Sequence, residues 1–275
     1  MKKYTPIVTY IIGGICLVVF ALIHFSSLGT TDTAIMLGCY YKPFVLAGEY
    51  WRLLTVGFVH VQSYHIFMNL VALYSLGRLL ERMVGHWKFL LVLLFSIISG
   101  SLWIFILDGN TLVVGLSAGL YGLMASELYI FYLKGLFNNP MIKNEVIQMI
   151  LINVLINFIP GVSYTGHIGG FIGGLLMSMI CIPLPSDKNH RLKTIVALCL
   201  YILGMGYFVK ENAYIPSNEQ YKGTDVEIIE TYQKLGFDHY SIYLIKRLDS
   251  IYGDTDISTA MQMKGAFNYD TEKVY

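Results

Sequence analysis

Gly166-His167-Ile168-Gly169-Gly170-Phe171-Ile172-Gly173-Gly174 opens an apolar run that continues to Ile182. Its glycines recur four residues apart twice over, at 166, 170 and 174 and again at 169 and 173. On a helix this spacing makes stripes of small residues across which a neighbouring backbone packs closely. The run Thr165–Ile182 carries no Asp, Glu, Lys or Arg and comes near the roughly 20 residues a bilayer-crossing helix needs. A histidine inside such a span is a functional-site hypothesis by default.

Six further runs approach the same length: Ile7–Phe25, Tyr64–Leu80, Trp87–Ile106, Leu116–Tyr132, Val146–Ile159 and Thr194–Phe208. The composition agrees with a membrane chain. Of 275 residues, 55% are hydrophobic and only 13% charged, with a mean hydropathy of +0.58. Soluble domains carry roughly 25% charged residues, so a soluble single-domain enzyme is excluded. Disorder is excluded because disordered chains are poor in apolar residues. The net charge of +1 leaves no footprint for nucleic acid. Cys16, Cys39, Cys181 and Cys199 are scattered without metal spacing, and a disulfide framework is not expected. The first run lacks a small-residue cleavage site and is read as a span, not a signal peptide.

Positive charge sets the orientation. With a cytoplasmic N-terminus, Lys2, Lys3, Arg78, Arg82, Lys88, Lys134, Lys143, Lys188, Arg191 and Lys193 fall on the inner connections. Only Lys42 and Arg52 fall on the outer ones. Seven spans then leave residues 210–275 outside. That tail is acidic, with 7 Lys/Arg against 11 Asp/Glu, whereas residues 1–209 hold 12 against 7. The expected architecture is an all-α polytopic membrane protein of seven transmembrane helices. It divides into a core over about 1–183, a seventh helix over about 194–209, and a small helical extracytoplasmic tail. Amphipathic stretches near Asp225–Leu235, Tyr240–Ile251 and Ile257–Met263 supply the tail helices. The aromatic-rich segment Ser26–Arg52 is long for a bundle connection and is expected to lie in the membrane interface.

The topology gathers polar residues at one depth. Spans two, four and six all descend from the outer side, and each carries a polar residue near its start: His65 and Asn69, Ser117, and His167. His65 and Asn69 are four apart and share a helix face. Ser117 lies in Gly115-Leu116-Ser117-Ala118-Gly119-Leu120-Tyr121-Gly122, another small-residue stripe. Close packing of spans four and six would bring the serine within reach of an adjacent base, which activates a nucleophile. His65 and Asn69 could donate to an oxyanion. Ordinary roles compete with these. A transmembrane serine commonly bonds its own i−4 carbonyl, a membrane histidine often serves as a helix–helix contact, proton relay or haem ligand, and glycine stripes are usually packing. His24, His86, His190 and His239 read as interface or loop residues. Glu127 lies about 15 Å below Ser117 at 1.5 Å per residue, and Asn153 and Asn157 read as interhelical polar contacts.

At these residues the chain resembles the rhomboid intramembrane serine proteases. The likeness runs from Trp51-Arg52 through His60, His65-Ile-Phe-Met-Asn69, Leu76-Gly77, Glu81-Arg82 and Gly85 to Gly115-Leu116-Ser117. It ends at Gly166-His167-x-x-Gly170-x-x-x-Gly174. Ala118-Gly119 stands in reverse of the family's usual Gly-Ala after the serine. The resemblance implies a Ser117–His167 dyad without an aspartate. It implies an oxyanion hole from the Ser117 N–H, His65 and Asn69. Tyr121 would stack on His167, Gly170 would permit close approach of spans four and six, and Trp51 and Arg52 would shape the first outer loop. Gly115 belongs to the nucleophile motif. The implied form is the family's six-plus-one arrangement, with no cofactor and no metal. Its partners would be the bilayer and transmembrane protein substrates, cleaved near their extracellular ends. Two alternatives stay open: a non-catalytic relative that binds and sorts membrane proteins, and a haem or transport protein using His60, His65 and His167.

Overall fold

A computed structural model describes residues 4–108, 111–182, 189–215 and 219–264. The expected core boundary near 183 lies outside these residues, as do Lys2, Lys3 and Lys188 of the charge argument and residues 265–275 of the tail.

Every apolar run forms a helix. They are α1 (Ile7–Phe25), α5 (Ser63–Val84), α6 (His86–Leu107), α7 (Ser117–Leu133), α8 (Pro140–Ile156), α9 (Tyr164–Cys181) and α10 (His190–Glu211). Local chemistry sets the boundaries. α8 starts six residues before its apolar run because Asn139 accepts from the Met141 N–H and Pro140, which has no N–H to satisfy, suits the first turn. α5 and α6 meet at Gly85, whose φ of +86° turns the chain sharply. Four of the seven (α1, α6, α9 and α10) are long and apolar enough to cross a membrane on their own among the described residues. α5 joins them when taken with the bent segment Arg52–Phe58 before it. α7 and α8 are 17 residues each.

The helices run back and forth between two ends of a bundle. At one end Glu81, late in α5, accepts from the N–H groups of Val8 (2.9 Å) and Thr9 (2.8 Å) and from Thr9 Oγ1 (2.6 Å). The carboxylate thus caps the positive start of α1. His190, at the start of α10, meets Tyr129 late in α7 (3.2 Å). At the other end lie the starts of α5, α7 and α9.

α6, α7 and α9 form the packed centre, and small residues make it possible. A Cβ on Gly170 would lie 2.7 Å from the Ala118 carbonyl carbon and 2.9 Å from Ala118 Cα, with the carbonyl oxygen nearer still. One on Gly174 would meet the Gly122 backbone. Pairing 118 with 170 and 122 with 174 means that α7 and α9 run parallel in register. On the neighbouring face of α9, Ser99 of α6 donates to the Gly169 carbonyl (2.5 Å).

The segment between α1 and α5 is structured. It holds α2 (Thr30–Met36), β1 (Tyr40–Tyr41), α3 (Lys42–Leu46) and α4 (Arg52–Thr55). β1 pairs antiparallel with β2 (Leu112–Val113), Tyr40 opposite Val113 and Tyr41 opposite Leu112. Among the described residues this two-residue ladder is the exception to an all-helical reading.

The tail folds as α11 (Glu219–Lys234), α12 (Asp238–Tyr252) and α13 (Asp256–Met263). It packs onto that segment. Ile35, Tyr41, Phe44 and Val59 share one buried cluster with Ile229, Leu244, Leu248 and Ile257. Polar bonds tie the two together: Tyr41 Oη donates to Asp225 (2.7 Å), Tyr243 Oη to the Ala47 carbonyl (2.7 Å), and Tyr240 Oη to Glu49.

Candidate active site

Ser117 is the first helical residue of α7, with Leu116 at the N-cap. Gly115 stands at φ +119°, a region closed to residues with a Cβ. A Cβ there would also lie 2.5 Å from His65 Cε1 and 2.7 Å from Nε2, so the His65 ring rests directly on this turn. Two bonds fix the approach to Ser117. Gly115 N–H donates to the Val56 carbonyl (3.0 Å), and Leu116 N–H donates to His60 Nε2 (3.3 Å). His60 in turn meets His65 edge-on, with ring centroids 5.2 Å apart. The first bond closing on this corner is Leu120 N–H to Leu116 carbonyl (3.1 Å). The N–H groups of Ser117, Ala118 and Gly119 are therefore first-turn donors without intrahelical acceptors, at the end of the helix that favours negative charge. The residue four before Ser117 is Val113 of β2, not a helical residue, so the ordinary serine back-bond has no place here.

His167 lies in the first turn of α9, which Ser163 caps by accepting from Gly166 N–H (3.3 Å). Its imidazole is buried, 5% exposed, and stacks on Tyr121 with centroids 4.1 Å apart and planes 12° from parallel. Tyr121 is one turn below Ser117 on the same face of α7. At the ring edge His167 Nδ1 is 2.6 Å from Asn157 Oδ1, at the end of α8. A mostly apolar cavity of about 290 Å³ runs from His167 between α7, α8 and α9, past Tyr121, Asn153, Met124, Leu128 and Ile150.

Trp51 and Arg52 organise the segment between α1 and α5. Arg52 is fully buried. It donates from Nη1 to the carbonyls of Ile35 (2.6 Å) and Cys39 (3.0 Å), pairs through Nε with Glu49, and lies against the rings of Trp51 and Phe44 at 4.6 and 5.2 Å. Glu49 is bonded by Tyr240 of the tail as well.

The structure therefore brings together Tyr121 with His167, His65 with Gly115, and Gly170 with Ala118. It does not hydrogen-bond Ser117 to His167, nor His65 or Asn69 to Ser117. Asn69 donates to the His65 carbonyl (2.9 Å) and keeps a buried Oδ1 without a partner. Hydrogen bonds of catalytic groups commonly tighten only with substrate present. Sequence reasoning missed Asn157 as a partner of His167, although two asparagines four apart in an apolar helix were the signal. It also gave His60 no place under the serine turn. Among the described residues no cluster of His, Cys, Asp and Glu could hold a metal ion.

Residues 47–184, half of the chain, match the family described as the Rhomboid domain. The chain belongs to the rhomboid family. Its relatives include the rhomboid protease GluP of Bacillus subtilis (strain 168), 30% identical over 221 residues. That match covers 78% of this chain and 42% of GluP. The rhomboid homologue YdcA of the same bacterium is 31% identical over 64% of this chain and 89% of its own length. Rhomboid-type serine protease 2 of Emericella nidulans is 28% identical over 69% of this chain and 38% of its own. The chain thus spans about two fifths of GluP and of the fungal protein. As a rhomboid, it is a multi-pass membrane protein of helical fold.

Proposed function

We propose that this rhomboid is an intramembrane serine endopeptidase in which Ser117 is the nucleophile and His167 the general base. The observation that carries the reading is the clasp of α7 on α9. The backbone contact of Ala118 with Gly170 and the Tyr121 ring against His167 hold the imidazole at the level where α7 begins with Ser117. In the reaction Ser117 Oγ attacks the scissile carbonyl carbon as its proton passes to His167 Nε2. The tetrahedral oxyanion is held by the Ser117 N–H, with His65 and Asn69 as side-chain donors. The imidazolium then returns the proton to the leaving amine, and water repeats the sequence on the acyl-enzyme. Stacking and packing take the orienting role that an aspartate has in other serine enzymes.

The substrates are transmembrane segments of membrane proteins, cut near their extracytoplasmic ends, where helix-weakening residues free the scissile carbonyl. The segment 26–52 follows the first crossing and the tail follows α10, and the two are packed together. Sharing one side requires an odd number of crossings. This supports seven spans, with a cytoplasmic N-terminus by the charge bias and residues 210–275 outside as a tail on a 1–209 membrane domain.

The test is cleavage of a fluorogenic transmembrane peptide in proteoliposomes, with fluorophosphonate labelling alongside. Ser117→Ala and His167→Ala should each abolish cleavage while the protein accumulates in the membrane, and Ser117→Ala should lose the label. Substantial cleavage by purified Ser117→Ala overturns the assignment. Wild-type protein that neither cleaves nor labels favours a non-catalytic binder of membrane helices.

A further inference from the structure

The hydrogen bonds around His167 determine which of its nitrogens carries the proton. The Asn157 amide nitrogen is 2.8 Å from the Asn153 backbone carbonyl and 3.0 Å from Tyr121 Oη. A carbonyl only accepts, so the nitrogen of Asn157 faces it and Oδ1 is left to face His167 Nδ1 at 2.6 Å. Tyr121 Oη spends its own proton on the same Asn153 carbonyl (2.9 Å) and accepts from Asn157. Both amide protons and the amide oxygen of Asn157 are thereby engaged. An amide oxygen also only accepts, so Nδ1 of His167 bears the hydrogen and Nε2 carries the lone pair.

We infer that Asn157 is a positioning residue that fixes His167 in the Nδ1–H tautomer, so that Nε2 is the basic nitrogen offered to Ser117. This rests on the Ser117–His167 reading and adds a third member to it, supplied by α8. The Asn157 amide occupies the position relative to the base that an orienting carboxylate or amide has in soluble triads. Tyr121 then has two tasks: its ring stacks on the imidazole, and its hydroxyl holds the Asn157 amide in its orientation.

Asn157 sits on a lightly attached helix. Within α8 only Val146 is buried, and both Asn153 and Asn157 are half-buried on its inward stripe. The base is therefore locked in its working tautomer only while the site end of α8 is seated against α7 and α9.

The experiment uses the full chain in proteoliposomes, comparing wild type, Asn157→Ala, Asn157→Asp and Ser117→Ala for kcat, KM, pH profile and thermal unfolding. Asn157→Ala should lower kcat about 10–100-fold with KM little changed, since general-base catalysis contributes about 10²–10⁴-fold and only its orientation is lost. Asn157→Asp keeps an acceptor at Nδ1 and should recover most of kcat. Its carboxylate should also raise the acid limb of the profile by about one pH unit, as an opposite charge beside an imidazolium does. His65 and Tyr121 are the other titratable groups facing this ring, and both are unchanged in these variants. Wild-type kcat in Asn157→Ala overturns the inference. So does equal loss of kcat in both Asn157 variants with matching losses of thermal stability and an unmoved acid limb, which marks a structural contact. Ser117→Ala separates the two levels: if it cleaves, the nucleophile assignment is at fault, and if it is inactive while Asn157→Ala is fully active, only the role of Asn157 falls.

Discussion

Gly170→Ala adds one methyl group at the closest approach of α7 and α9. The new Cβ would sit 2.7 Å from the Ala118 carbonyl carbon and 2.9 Å from Ala118 Cα, with the oxygen closer than either. Ordinary contacts between carbon atoms are about 3.5–4.0 Å, and these neighbours are backbone, which cannot rotate aside. The helices must therefore part by about 1 Å at this level. His167 is one turn above Gly170 on α9, and Ser117 is next to Ala118 on α7. A parting of that size moves His167 away from Ser117, and in the proposed mechanism a misplacement of about 1 Å costs on the order of 10²-fold in rate. Overpacking of a close contact costs about 1–3 kcal/mol of stability as well. The expected result is a roughly hundredfold fall in kcat and in fluorophosphonate labelling rate, with a lowered unfolding temperature. Gly14→Ala is the control, since nothing lies within 4 Å of its added methyl. Gly170→Ala with undiminished labelling and unchanged unfolding would refute the claim that this glycine sets the spacing of the proposed Ser117–His167 pair.

Arg52→Ala should destabilise the protein by about 3–5 kcal/mol, the range for removing one partner of a buried pair. It leaves Glu49 buried without its cation and removes the guanidinium donor from the carbonyls of Ile35, which keeps the Gly38 N–H, and Cys39, and thermal unfolding in detergent reads the loss. Asp225 gives a pH dependence. Burial raises its carboxyl to about 7, against the lowering effect of the hydrogen bonds from Tyr252 and Tyr41. A raised folded value means that the folded form holds its proton longer than the unfolded one, whose value is about 3.9. The contribution of Asp225 to stability is therefore full below about pH 4 and is lost as pH rises through about 7. Opening free energies of α11 and α12 amides, from hydrogen exchange corrected for the intrinsic pH dependence of the exchange rate, should be larger at pH 5 than at pH 8, and Asp225→Asn should flatten that difference.

Much of this arrangement can be read in the residues, and the parts that cannot have physical causes. Apolar length located all seven bundle helices, because a chain in lipid must bury its backbone hydrogen bonds within each segment. Alternation of direction then placed His65, Ser117 and His167 at one end, and the glycine spacing identified the face on which α7 meets α9. The ends of α8 were less legible, since Lys143, Asn144 and Glu145 interrupt the apolar pattern of a helix that capping chemistry starts early. Asn157 was visible as a polar residue in an apolar run, but its meaning depends on a contact across a turn to His167. The docking of the tail was illegible. The apolar faces of α11, α12 and α13 show that something is covered, and only the fold shows that it is Phe44 and its neighbours.

The contact between Tyr41 and Asp225 joins residues 184 positions apart. At about 5–20 residues per second of synthesis, the partner of Tyr41 emerges about 10–40 s after it. Throughout that interval Tyr41, Phe44 and Val59 lack the surface that finally covers them. The first segment made beyond α1 is thus among the last to mature, and it waits on delivery of α11, α12 and α13 to the same face. A chain halted after α9 would display this uncovered aromatic patch, a mark by which cellular quality control could tell an unfinished molecule from a complete one.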